Sequence, residues 1–187
     1  MNCDLLLMQN EIGEGNEKAF ADLYTLFSRR LCHFAKAITR SSEMAEEAVE
    51  DVFVKLWCNR ANILSIDNLA VYLYVAVKNK AINAISKKAQ AFIKSPFDEL
   101  DIELMPSSTD PYNLVVTAEM MGKMRQAIEN LPPRCKLIFK LIREDGLKYK
   151  EVAEILNISV NTIDVQMAIA VRKLCMAMQK AGMKISS

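Results

Sequence analysis

Residues 147–174, LKYKEVAEILNISVNTIDVQMAIAVRKL, read as two helices joined by a tight turn. Val152, Ala153, Ile155 and Leu156 give the first helix its inward side, and Ala153 is small where a crossing helix has to approach closely. Asn157 stands where that helix must stop, and asparagine tolerates the left-handed backbone of a C-cap better than any residue except glycine. Ser159 then offers an N-cap oxygen to the next helix. Beyond it Val160, Ile163, Met167, Val171, Leu174 and Met178 recur at three- and four-residue spacing, which makes one apolar stripe. Asn161, Asp164, Val165, Ala168 and Arg172 remain on the other face, the one a helix-turn-helix lays into the DNA major groove. The same corner also occurs in plain helical bundles, so these residues alone leave both DNA binding and packing open. Asp164 would repel phosphate and only Arg172 is basic on that face, so the electrostatic part of any DNA affinity must come from elsewhere.

Charge counted by segment supplies a source. Residues 1–88 hold 11 basic and 11 acidic side chains, residues 89–117 hold 1 and 5, and residues 118–187 hold 12 and 7. The net charges are therefore 0, −4 and +5, and the segment with the helix-turn-helix is the basic one. Five cysteines lie scattered at positions 3, 32, 58, 135 and 175, with no C-x-x-C pair, which argues against a metal cluster or a disulfide framework and for buried thiols in a reducing cytosol. The opening MNCDLLLMQNEIGEG has too short an apolar run for a signal peptide, and no run of 18 apolar residues occurs, so neither export nor membrane insertion is expected.

Within the first half, Asn16 begins a helix in which Phe20, Leu23, Tyr24, Phe27, Leu31, Phe34, Ala35 and Ile38 form the expected buried stripe. His33, the one histidine, has no nucleophile or carboxylate set beside it and is expected to be structural or solvated. Ser41 and Ser42 cap the next helix, whose inner face is Ala45, Ala48, Val49, Val52, Phe53, Leu56 and Trp57. Its outer face carries Glu43, Glu47, Glu50 and Asp51, either a solvated surface or a dock for a basic partner. A polar loop about ten residues long (Asn59 to Asn68) follows, and Asp67 or Asn68 caps a long helix. On that helix Tyr72, Asn79, Asn83 and Lys87 fall near one face. A ring that can stack on bases, amides that can read base edges and lysines that hold phosphate suit an unstacked nucleic-acid strand, and an ordinary lysine-ended amphipathic helix is the alternative.

Residues 89–117 contain Pro96, Pro106 and Pro111, which prevent a continuous helix, and read as an acidic linker. A helix over MMGKMRQAIENL then ends before Pro132 and Pro133, and Pro133 opens another with Leu137, Ile138, Leu141 and Ile142 inward. Gly146 ends it, and Lys136, Lys140, Arg143, Lys148 and Lys150 are expected to surround the entrance of the helix-turn-helix with positive charge.

Four blocks taken in order, AFADLYTLFSRRL, AEEAVEDVFVKLW, NLAVYLYVAVKNKAINAI and LPPRCKLIFKLIREDGLKYKEVAEILNISVNTI, make the chain resemble the extracytoplasmic-function class of bacterial RNA polymerase sigma factors over nearly its full length. The resemblance implies an all-α fold of two small helical domains: residues 1–90 as region two, 91–117 as the acidic linker and 118–187 as region four. In that family region two binds the polymerase clamp and melts the minus-ten promoter element, and region four binds the minus-thirty-five element. By position, Glu47, Glu50, Asp51 and Phe53 then belong to the polymerase-docking helix, and the loop with Arg60 and Asn62 to base capture. Asn79 and Asn83 match asparagines of the strand-reading helix, Tyr72 stands where relatives often carry Trp, and Lys78, Lys80 and Lys87 join them as DNA contacts. In region four the resemblance assigns DNA contacts to Lys148, Tyr149, Lys150, Ser159, Asn161, Thr162, Asp164, Val165, Ala168 and Arg172. Asn161, Asp164 and Ile169 stand near positions where many relatives carry Lys or Arg.

The implied partners are core RNA polymerase and promoter DNA, in the cytoplasm. No cofactor, metal, small-molecule substrate or catalytic activity is implied, and an anti-sigma partner is left open. A free-standing helix-turn-helix regulator and a helical adaptor that binds only protein are the alternatives.

Overall fold

The computed structural model describes residues 2–88 and 118–180. Among them all regular structure is helical, and the chain divides into two compact units, Met1–Pro96 and Phe97–Ser187. The segment read as a linker, 91–117, lies outside the described residues.

The first unit packs four helices, α1 (Asn2–Gly13), α2 (Glu17–Thr39), α3 (Ser42–Cys58) and α4 (Leu69–Lys88), with a 3-10 turn (Arg60–Ser65) before α4. The Asn16 carboxamide starts α2 by accepting from the Lys18 and Ala19 amides at 3.0 and 3.1 Å. Of the two serines read as a cap, Ser41 alone does the capping of α3, accepting from the Met44 amide, and Asn68 caps α4 through the Val71 amide. The core is built where the apolar spacing puts it: Leu23, Phe27, Leu31 and Phe34 of α2 meet Val49, Val52 and Leu56 of α3 and Leu73, Tyr74 and Val77 of α4. Phe34 and Tyr74 meet edge to face at 5.2 Å between centroids.

One expectation for this unit is corrected and two features are added. Helix α1 was not foreseen; it lays Leu5, Gln9 and Ile12 against the rest of the unit. Phe20 and Tyr24, read as part of the buried stripe, lie at its rim, with Tyr24 exposed. The polar loop contains a 3-10 turn pinned by Ile63, whose side chain is buried in the unit.

The second unit consists of α5 (Ala118–Glu129), α6 (Pro133–Arg143), α7 (Tyr149–Leu156) and α8 (Val160–Lys180). Ala127, Leu131, Cys135, Ala170 and Leu174 form one cluster, and Ile138, Leu141, Val152, Ile155, Ile163 and Met167 are also buried. The buried seam of α8 is Ile163, Met167, Ala170, Leu174 and Met178; of the residues read as members of the stripe, Val171 is exposed because Ala170 takes the inward position, and Val160 is exposed at the first position of the helix. Ile142 is only half-buried. Lys136, expected at the surface, is buried and its ammonium meets the Glu129 carboxylate at 2.9 Å. The other carboxylate oxygen, Oε1, is buried with no partner.

A pair whose carboxylate is a third open to solvent is partly screened and contributes less than a fully buried one. Glu129→Gln keeps the shape and loses the charge, and is expected to destabilise the second unit by about 1 kcal/mol, read by urea denaturation.

Candidate functional site

The turn that sets the outward helix of the second unit is built from local chemistry. Asn157 adopts the left-handed conformation, φ 54° and ψ 51°, and the Ile158 amide returns to the Ala153 carbonyl at 3.0 Å. The Ser159 hydroxyl oxygen accepts from the Thr162 amide at 3.1 Å and lies 2.8 Å from the Thr162 hydroxyl. With the seam of α8 buried, Asn161, Asp164, Val165, Ala168 and Arg172 all face outward, Val165 being 57% exposed. Ser159 and Thr162 stand at the start of this face with their hydroxyls already engaged in the cap.

The basic surround is smaller than the sequence suggested. Lys136 is spent on Glu129, and Lys140 is half-buried, its pKa pushed down by burial against the opposing pull of Glu144 and Glu129. Arg143, Lys148, Lys150, Arg172 and Lys173 are the exposed cations around α7 and α8, and Tyr149 is half-buried beside them. The Lys148 amide donates to the Glu151 carboxylate at 2.7 Å, which begins α7.

On α4 the structure exposes Tyr72, Asn79 and Asn83 along one face, while the Lys87 side chain lies outside the described residues. Lys78 is half-buried, and burial lowers its pKa. Lys80 pairs with Asp51 of α3 at 2.5 Å, so one residue expected to contact DNA and one expected to contact protein are joined in a single ion pair. In the 3-10 turn Asn62 is exposed, whereas the Arg60 guanidinium lies 4.6 Å over the Trp57 ring and donates to the Trp57 carbonyl at 3.1 Å.

On α3, Glu47, Glu50 and Asp51 are exposed, but Phe53 is only 3% exposed and acts from below the surface. It props Phe20 at 5.9 Å and Tyr24 at 4.9 Å between ring centroids, and Trp57 packs on Phe20 at 4.8 Å. These rings, with Val54, floor an open cleft of about 520 Å³ rimmed by Glu17 and Glu50. Sequence reasoning missed the cleft. Phe20 and Tyr24 stand one turn apart on α2, and nothing in the local pattern separates them from Leu23 and Phe27, which are buried. Burial raises the pKa of the Tyr24 phenol and of the Cys32 thiol, and the carboxylates of Glu46 and Glu50 push both further up.

Residues 23–91 match the family described as Sigma-70 region 2, and residues 121–174 match Sigma-70, region 4. The chain belongs to the sigma-70 family. Relatives of this sigma factor include the ECF RNA polymerase sigma factor SigW of Bacillus subtilis, 24% identical over 165 residues that cover 82% of this chain and 85% of SigW. The ECF RNA polymerase sigma-E factor of Escherichia coli K12 is 22% identical over 163 residues, covering 84% and 85%. The chain is a member of that extracytoplasmic-function class. Two solved structures share its fold: CnrH in complex with the cytosolic domain of CnrY, with TM-score 0.53, 15% identity and coverage of 94% and 97%, and the sigma factor RpoE in complex with the anti-sigma factor NepR from Bartonella quintana, with TM-score 0.55, 20% identity and coverage of 87% and 98%. None of the described helices is long and apolar enough to cross a membrane.

The field at the cleft is open to titration. In Glu50→Gln, loss of a nearby negative charge should make the phenolate easier to form, so the pKa of Tyr24 falls toward its ordinary value. Tyrosine-labelled NMR titration of the two proteins reads the shift; an unchanged Tyr24 curve would remove Glu50 from its surroundings.

Proposed function

We propose that this sigma factor directs initiation by presenting three surfaces in turn: a protein dock on α2 and α3, a strand-holding face on α4 and the 3-10 turn, and a groove-reading face on α8. The observation that carries this reading is the segregation within the first unit, where an aromatic cleft with an acidic rim and an amide-bearing face on α4 are separate exposed surfaces of one small core. On this reading residues 1–90 form region two, 91–117 the linker and 118–187 region four.

Glu47, Glu50 and Asp51 would meet basic groups of core polymerase, with Phe53 shaping the cleft beside them. Asn79 and Asn83 would read exposed base edges, Tyr72 would stack, and Lys78, Lys80 and Lys87 would lie along phosphates, with Arg60 and Asn62 at the captured base. Holding a base outside the duplex costs a few kcal/mol, which contacts in the pocket must offset, so melting follows from trapping and needs no nucleotide hydrolysis. In region four Lys148, Tyr149, Lys150, Ser159 and Arg172 would approach phosphates, while Asn161, Thr162, Asp164, Val165 and Ala168 face bases, the last two apolar residues suiting thymine methyls. Neither surface need bind tightly alone, because attachment to one polymerase raises the effective concentration of each at its element. The protein would act in the cytoplasm as a binding factor without catalytic chemistry of its own. The RpoE–NepR complex supports an anti-sigma protein as a further partner. A free-standing regulator would leave the cleft on α2 and α3 without a role.

The test is transcription by core polymerase loaded with the purified full chain on a chromosomal fragment library, with start sites mapped. Discrete starts absent from core alone are expected; a chain that joins polymerase yet yields none would overturn the reading. Asn79→Ala should slow open-complex formation by about fivefold, the equivalent of one hydrogen bond of ~1 kcal/mol, with polymerase binding unchanged. Arg172→Ala should flatten the salt dependence of upstream-element binding by about one unit of logarithmic slope, as loss of one phosphate contact requires.

A further inference from the structure

Gln9 is one of two polar or charged residues buried among the described residues, the other being Lys136. It occupies the middle of the inward face of α1, between Leu5 and Ile12, at a position where leucine would continue the apolar seam. A buried carboxamide is unfavourable unless its hydrogen bonds are made. Here both amide hydrogens are used: Nε2 donates to the Ile63 carbonyl and to the Ile66 carbonyl, each at 3.0 Å. Those carbonyls belong to the end of the 3-10 turn and to the residue that leaves it in extended conformation, φ −91° and ψ 106°. The Ile63 carbonyl also accepts from the Ile66 amide at 3.2 Å, so Gln9 shares an acceptor with the backbone bond at the exit of the turn.

The contact between α1 and the turn is close. A Cβ on Gly13 would come within 3.5 Å of Ile63 Cγ2 and 3.8 Å of the Arg60 carbonyl. With Ile63 plugged inward and the two carbonyls turned toward Gln9, the outward side of the turn is Asn62, Leu64 and Ser65, and Leu64 is 59% exposed although apolar. An amide clamp on backbone fixes where those side chains stand without touching them.

We propose that Gln9 is a positioning residue for base capture: its carboxamide, reaching from α1, holds the 3-10 turn in the form that presents Asn62 and Leu64 to a base taken out of the stack. This rests on the reading of that turn as the capture element. The carboxamide itself meets no DNA. Its effect passes through the Ile63 and Ile66 carbonyls.

The test uses the full chain on core polymerase and compares Gln9→Met, which keeps the volume and loses both donors, with Asn62→Ala, which alters the outward side and no buried group. Three quantities are read: polymerase affinity, rate of open-complex formation, and base preference on promoters randomised over the melted segment. Gln9→Met should leave polymerase affinity within about twofold, slow opening by about tenfold, and flatten the base preference at the same promoter position that Asn62→Ala flattens. If Asn62→Ala flattens a position and Gln9→Met flattens none, the positioning role is overturned while the capture reading stands. If Asn62→Ala changes neither opening nor preference, the capture reading fails and the proposal with it. Equal losses in polymerase affinity and opening for Gln9→Met, with the preference profile intact, would make Gln9 a packing residue and also overturn the proposal.

Discussion

A helix that buries Ile163, Met167, Ala170 and Leu174 against its neighbours has no freedom over what it leaves outside. The same constraint fixes α4, where Leu73, Tyr74, Val77 and Ala81 are buried and Asn79 and Asn83 are thereby turned out. Burying each large apolar side chain contributes roughly 1.5–3 kcal/mol, far more than any single exposed contact. The surfaces that meet partners are therefore set by residues that never touch them, and rotation of α4 or α8 would have to break several such burials at once.

Electrostatics works on a smaller scale. Residues 118–187 carry 12 basic and 7 acidic side chains, yet Lys136 is engaged with Glu129 and Lys140 is partly desolvated, leaving a modest set of exposed cations near α8. Asp164 on the exposed face of α8 would work against phosphate. A surface of this kind suits a factor that is delivered to DNA by a larger partner better than one that must find DNA alone, since affinity for duplex scales with the number of phosphates neutralised. The acidic rim at Glu17 and Glu50 fits the same division of labour, since it would repel phosphate and attract basic groups of a protein.

The helix-turn-helix could be read from sequence because its signals are local. Asn157 and Ser159 act within a few residues of themselves, and the caps formed as their side chains dictate. What sequence reading missed depends on distant partners. Helix α1 was hidden because Leu5, Leu6, Leu7 and Met8 run together without a helical period, and the residue that completes its inward face is a glutamine whose partners lie more than fifty positions away. Phe20 and Tyr24 look like core by composition; only the packing of α3 against α2 decides that the core ends at Leu23 and that these rings floor a cleft. Lys136 looks like surface until Glu129 is found beside it. Tyr72, Asn79 and Asn83 of the expected α4 face are exposed together, but the ion pair between Lys80 and Asp51 joins residues 29 positions apart and left no trace in either local pattern.

Asn79 and Asn83 sit one turn apart on an uninterrupted helix, and the rise of ~1.5 Å per residue sets them about 6 Å from each other along its axis. Nucleotides in a stacked strand follow one another at ~3.4 Å. If the two amides read base edges as proposed, their spacing suits alternate positions of a stacked strand, or neighbouring positions of a strand drawn out beyond its stacked rise. A straight rod imposes its own pitch on the text it can spell.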